Sequence, residues 1–400
     1  MRTPGEPNPP NTADSADLDD NPSGSGQADV VFKPCEAERL PRSSSAALTE
    51  VRSPWVAVGA NFHALSAGLD ASFERWRVQV HTLEGNMFRH ASLSLPEHAG
   101  RVSASLGLWH ATPFNQLHLL VPFELGSFES GPVPSVYRYP WDLEQSAAGT
   151  ATALNERLTA TEGPLAVMGS AHLQGASYVL LRQADQEIAL LRLEDGVHHD
   201  AIRLGVAARN ALLLPGPSVL WVVREHDGKA WVRPYSPAGQ ALAPETQILG
   251  EVRAIFDLNG MMLKDGSMAL VWRQGPSGPE SRVHIGRYSP ADPGTATSAG
   301  AWRMERVVGD SGVGSGTPRL ARLGDLPLVV YRTHPADGEP WLFAQLYNDA
   351  AEAIFEPTPI AAVASDVSSV RVGASTLAGV VVTWNELVGS EAHAARLTCF

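Results

Sequence analysis

Seven near-equal copies of a unit built from short apolar runs, turn residues every eight to twelve positions, and a near absence of helical period predict an all-β chain. The architecture that fits is a seven-bladed β-propeller of four-stranded blades, closed by N- and C-terminal strands and preceded by a disordered tail. Size permits it, since 400 residues with 44% apolar side chains are ample for a large core.

The first 28 residues hold Pro4, Pro7, Pro9, Pro10 and Pro22, the Ser23–Gly26 run and the acids Asp14, Asp17, Asp19 and Asp20, with almost nothing apolar. Such a segment cannot bury enough surface to offset its ordering entropy, so it reads as a disordered tail or tether ahead of a single propeller domain over 29–400. The clearest copies of the repeat are the second strands 219–224, 269–273, 328–332 and 380–385, each rich in Val and Leu and ending on an aromatic or polar residue. A third strand ending near a Tyr follows, as in 231–236, 283–289 and 342–347; fainter copies place 178–182 before Leu193, 117–121 before Tyr139 and 55–61 before Thr82.

Taking Thr82, Tyr139, Leu193, Tyr235, Tyr288, Tyr347 and Leu397 as equivalent gives spacings of 57, 54, 42, 53, 59 and 50 residues, close to propeller blades. Fourth strands are expected near 241–249, 302–308 and 353–360. The last copy ends at Phe400 without one, so residues 36–42 should supply it and close the ring. Paired sandwiches would not require seven near-equal copies, and a β-helix repeat would be roughly half this length. The first copy fits least well: 46–52 is a poor first strand, and 62–75 reads as a long insertion.

The two cysteines, Cys35 and Cys399, flank the blade that the chain cannot complete locally. Pairing of the terminal strands would bring the sulfurs within bonding reach, and the cross-link would contribute on the order of 4 to 5 kcal/mol in the chain-entropy description. A disulfide argues for an oxidising compartment, hence an exported, extracytoplasmic protein whose signal segment is not in this chain.

Net charge is −13, which disfavours nucleic acid and anionic lipid, and no apolar run of eighteen residues offers a membrane span. Three basic residues are Lys (Lys33, Lys229, Lys264), which leaves 27 Arg among 30 and makes any one Arg weak evidence of a site. No cofactor is expected, and no metal: both cysteines are assigned to closure, and the neighbours His198, His199 and Asp200 alternate across a strand. His63, His110, His118 and His284 read as structural imidazoles. The run 312–316 reads as a flexible connector, and no G-x-S-x-G elbow or phosphate-binding loop occurs. Asp70, Glu124, Asp227, Asp337 and Glu386 fall in loops between second and third strands, which share one face, so paired carboxylates for glycoside chemistry are geometrically allowed.

The unit from Leu328-Val329-Val330-Tyr331-Arg332 through Leu346-Tyr347-Asn348-Asp349 to Phe355-Glu356-Pro357-Thr358-Pro359-Ile360 resembles the repeat of secreted bacterial β-propellers of the kind abundant in myxobacteria. Three or four copies match, and the resemblance implies architecture without a reaction. The Ser-x-Asp-x-Gly-x-x-Trp box typical of sialidases is missing.

The leading functional reading is a non-enzymatic extracytoplasmic binding or scaffold propeller, monomeric, that recognises a glycan, peptide or partner protein; the alternative is a polysaccharide-active hydrolase or lyase with loop carboxylates. Arg182, Arg224, Arg273, Arg332 and Asn385 end the second strands, where they would form a polar ring suited to carboxylate-bearing ligands. A structural reading competes, in which each Arg pairs with an acid or carbonyl in the neighbouring blade.

Overall fold

The structure is a computed structural model that describes residues 31–40, 51, 53–69, 76–95, 99–102, 106–111, 116–125, 133–154, 164–183, 186–194, 197–198, 201–251, 253–276, 278–291, 300–309, 314–335, 338–363, 367–386 and 392–400. The predicted tail, Asp70, Asp337, His199, Asp200 and Gly312 lie outside these residues. Seven antiparallel sheets follow one another along the chain, so the protein is a seven-bladed β-propeller. Blade 4 shows the plan: Asn210–Pro215 is innermost, then Leu220–His226, Lys229–Tyr235 and, at the rim, Thr246–Leu249. Blade 5 repeats it with Ile255–Met262, Met268–Gln274, Arg282–Ser289 and Ala301–Val307, and blade 6 with Gly314–Leu323, Leu326–His334, Trp341–Leu346 and Thr358–Ala362.

Blade 7 is built from Val367–Ser375, Gly379–Glu386 and Ala392–Thr398, and its fourth strand is Glu36–Arg39 from the other end of the chain. Glu36 pairs with Thr398 and Arg39 with Ala395. The Cys35–Cys399 disulfide, with Cα atoms 4.0 Å apart, sits beside that seam. Closure removes the edge that the ring would otherwise expose.

Blade 1 departs from the expected layout. Its innermost strand is Val56–Val58, and Asn61–Leu69 is the second strand, paired over its length with Trp76–Glu84. Residues 62–69 of the expected insertion are therefore sheet, and the rest of it lies outside the described residues; Ser66 and Gly68 weaken the apolar pattern, and pairing on both sides overrides it. In blade 2 two segments, Ala99–Val102 and Gly107–Ala111, pair with Gln116–Leu125 on its inner side.

Side chains of successive strand residues point to opposite faces, and in a propeller each face meets the neighbouring blade. Among the described residues the core accordingly resolves into seven apolar clusters, one in each interblade gap. Leu270 and Trp272 pack towards blade 4, whereas Val271 between them packs towards blade 6. Trp272, 1% exposed, lies 5.4 Å from Trp302. The innermost strands converge so closely that a Cβ on Gly373 would stand 2.5 Å from Trp55 Cβ, and one on Gly107 would stand 2.6 Å from Val167 Cγ1. Glycine at these points lets neighbouring backbones approach.

Candidate functional site

Within a blade of alternating strands, the turns between second and third strands and the connections to the next blade emerge on one face, here called the upper face. Residues from the innermost strands of blades 2 to 7, with Pro54 ahead of blade 1, surround an axial channel of about 600 Å³. Its charged lining residues are Arg182, Arg209, Glu225, Asp257, Arg319 and Arg371.

Local backbone geometry places the charged groups. The innermost strands of blades 5 and 6 carry bulges between Phe256 and Asn259 and between Gly316 and Arg319. Asp257 (φ 56°) and Thr317 (φ 49°) occupy left-handed conformations in these bulges. That conformation is uncommon for Asp and a genuine outlier for β-branched Thr, and bulges of this kind re-aim side chains at rims and sites. Arg319 donates from Nε to Val370 O at 2.9 Å and from Nη1 to Pro318 O at 2.8 Å, while Arg371 Nη1 donates to the same Val370 carbonyl at 3.2 Å. Burial depresses both guanidinium pKa values; that of Arg371 falls to about 10, with the Arg319 charge adding to the burial effect.

Glu225 is 2% exposed, and its Oε2 accepts the Leu258 amide of blade 5 at 3.1 Å. Burial pushes its carboxyl up and the adjacent Asp257 carboxylate adds to this, against the Leu258 amide, Arg209 and Arg273. Asp257 Oδ2 accepts Arg273 Nε at 2.8 Å. His334, beside Arg332 and Arg273, has its pKa lowered to about 4, first by burial and then by those two charges.

Two shallower depressions continue outward from the mouth over blades 3 to 5. One, of about 700 Å³, is lined by Arg182, Gln186, Arg209, His226, Asp227, Gly228, Ala254 and Phe256. The second, about 710 Å³, shares Ala254 and Phe256 and adds Arg253, Gln274 and Arg282. They form one groove on either side of Phe256, whose ring is flanked by the guanidiniums of Arg273 at 4.8 Å and Arg209 at 5.8 Å. One border of the groove is the Asp227-Gly228 turn, where both residues have positive φ and Gly228 O accepts Ile255 N at 2.8 Å.

The five predicted ring residues do not share one orientation. Arg182 Nη1 donates to Arg209 O, at the entry to blade 4, at 3.0 Å. Arg273 holds Asp257 and donates from Nη1 to Gly275 O at 2.6 Å; Arg332 contacts His334, with Nη2 2.9 Å from its Nε2. Asn385, half-buried, ends the second strand of blade 7. Arg224 faces the preceding blade: Nη1 donates to Ala207 O at 2.9 Å, and Nε and Nη2 clamp Glu245 at 2.7 and 2.5 Å. The forward position in that strand belongs to Glu225. A one-residue offset reverses the face of every side chain, and the aligned Val-rich runs conceal such an offset in sequence.

Of the acids named from sequence whose side chains are described, Asp227 and Glu386 do not line the channel. Asp227 is exposed on the blade 4 turn, 3.4 Å from His226, and Glu386 in blade 7 lies 3.7 Å from His393. Glu124 is in the second strand of blade 2 rather than in a loop. The carboxylates that do adjoin, Glu225 and Asp257, were missed because each lies in a strand; the positive φ of Asp257 left no motif. His63 is 4% exposed, with Nδ1 3.1 Å from Thr82 Oγ1, which is a structural pairing. Among the described residues no helix is long and apolar enough to cross a membrane.

No family model matches the chain, and no curated protein matches its sequence. Solved structures similar to it include the β-propeller domain of Cps50 (Swd1) from Myceliophteria thermophila (10% identity, TM-score 0.54, covering 91% of this chain and 100% of that one). The RRP9 WD40 repeats match at 10% identity and TM-score 0.52 over 91% and 98% of the two chains. An ulvan lyase of polysaccharide lyase family PL25 matches at 10% identity and TM-score 0.51 over 92% and 94%. At this identity the likeness is one of fold.

Proposed function

We propose that the protein is a binding propeller that takes a carboxylate-bearing ligand, an acidic glycan or an acidic peptide segment, in the upper-face groove over blades 3 to 5. The observation that carries this is the row of guanidiniums from Arg182 and Arg209 past Phe256 to Arg253 and Arg282, in a protein whose net charge is −13. Guanidinium forks match carboxylates bidentately, and Phe256 between them stacks with two guanidiniums, those of Arg209 and Arg273, and adds apolar surface to the groove. Four guanidiniums, Arg182, Arg209, Arg253 and Arg282, against the carboxylates of Asp227 and Glu280 leave the groove lining net positive within an acidic protein, which favours the anionic part of a ligand. The disulfide at the ring seam supports an extracytoplasmic setting, because such bonds persist in oxidising compartments.

Binding of polyglucuronate and of a poly-glutamate peptide, measured by calorimetry, tests the reading. Arg253→Glu and Phe256→Ala should each weaken the bound polymer by roughly tenfold or more, in line with about 1.4 kcal/mol per tenfold. Unchanged affinity in both variants, or no binding of either polymer to the parent protein, would discard the groove. A second reading, an enzyme acting on acidic polysaccharide, draws on the adjoining Glu225 and Asp257, one with a raised carboxyl pKa beside guanidiniums. Release of unsaturated uronide or new reducing ends, abolished by Glu225→Gln, would replace binding by catalysis.

A further inference from the structure

Turns between first and second strands emerge on the lower face, opposite the groove, and those of blades 4, 5 and 6 border a pocket of about 490 Å³. None of its lining residues lines the groove or the channel. Leu214, Pro215, Met261, Met262 and Leu263 give it a mainly apolar lining. Backbone bonds set the turns: Leu263 N donates to Ser267 O at 2.7 Å, and Gly216 N to Val219 O at 2.8 Å. Gly324 (φ 64°) makes the blade 6 turn, where a Cβ would stand 3.3 Å from both Phe32 Cζ and Thr376 Cγ2, so that turn is packed against blade 7. Of the charged residues at the pocket, Lys264 pairs with Asp325 at 3.2 Å, and Asp265 beside it is held by Arg287. Arg322 donates from Nη2 to Met262 O at 2.5 Å, and among the described residues no carboxylate pairs with it. The lining therefore holds two cations against one anion beside apolar side chains, and a mostly apolar cavity of this size with a few placed polar groups is the usual form of a small-ligand site.

We infer that this pocket binds a small aliphatic monocarboxylate, its head on Arg322 and its chain over Leu214, Met261 and Met262. The guanidinium offers the head a charge-assisted, bidentate partner. Each methylene taken out of water adds to affinity, and methionine side chains adapt to the shape of a flexible chain. A head alone meets one exposed guanidinium, and a chain alone leaves that charge unmatched, so the site requires both parts in one molecule. The assignment shares no residue with the groove and stands whether or not acidic polymers bind there.

The experiment titrates the full chain with octanoate, hexanoate, acetate, 1-octanol and octylammonium by calorimetry, at matched ionic strength and below micelle-forming concentrations. Octanoate should bind at a single site. Hexanoate should bind several-fold more weakly, and acetate, octanol and octylammonium roughly tenfold or more weakly. Arg322→Gln should lower octanoate affinity by roughly tenfold and leave octanol within about twofold. Asp325→Asn removes the carboxylate of the lining and should tighten octanoate by about threefold or more, which keeps the test decisive if the arginine variant fails to fold. The groove variant Arg253→Glu should leave octanoate within about twofold, because it lies on the other face. Equal binding of octanol or octylammonium and octanoate, several octanoates per chain, or unchanged octanoate affinity in both Arg322→Gln and Asp325→Asn would overturn the assignment. So would the absence of octanoate binding, including the case in which a peptide ending in a leucine carboxylate binds instead.

Discussion

The interblade layers and the axial channel are lined by the same strands, yet they differ in almost every physical respect. In the layers Trp272, Trp384, Leu270 and Val330 are at most 1% exposed and pack against apolar neighbours. Around the channel, the guanidiniums of Arg319 and Arg371 and the carboxyl of Glu225 occupy poorly hydrated positions. Apolar burial stabilises at roughly 25 cal/mol per Å², whereas buried charge costs energy unless it is matched. Stability in this ring therefore belongs to the layers, and the channel holds an arrangement that packing alone would not select.

The largest expected effect tests the first half of that contrast. Trp272→Ala should cost about 3–5 kcal/mol by removing a large side chain from the blade 4–5 layer, measured by urea unfolding. A cost below about 1 kcal/mol would show that the layer is loosely packed and break the comparison.

A titratable group inside a layer sharpens it. His81, 1% exposed and 2.6 Å from Ser66 Oγ, has its pKa lowered to about 4 by burial, with His90 contributing. The unfolded imidazole takes up a proton near pH 6.5 and the folded one does not until about 4. Stability is thus complete above the higher value and is lost as pH falls through the window between them, by up to roughly 3 kcal/mol from this residue. His81→Gln should flatten the melting temperature across that window; an unchanged slope would assign the acid sensitivity elsewhere.

The smallest effect belongs to the channel. Arg319→Gln should change stability by less than about 1 kcal/mol, or raise it, because it relieves repulsion with Arg371 while keeping a hydrogen-bonding side chain. A loss comparable to that of Trp272→Ala would make the channel guanidiniums part of the structural frame.

How much of this was legible beforehand differs between the two regions for the same reason. The layers follow from alternation: Leu270, Val271 and Trp272 must bury both faces of their strand, and the repeat of such runs gives seven blades, with a closing strand near Glu36. The pairing of Cys35 with Cys399 follows from that closure. Residues 61–69 were misread because Ser66 and Gly68 interrupt the pattern, although Leu65 and Ala67 still pack against blade 2.

The channel was not legible, because it is made by residues from several blades whose meeting depends on fine register. Arg224 and Glu225 are adjacent in sequence and face opposite neighbours, so an offset of one residue decides which of them approaches the mouth. Asp257 is aimed by a bulge with positive φ, and Arg319 follows another. Sequence by itself determined the repeat, the alternation and the closed ring, since those rest on short-range patterns of burial. Tertiary structure alone decided which charges meet at the axis, because convergence of strands far apart in the chain is a matter of three-dimensional position.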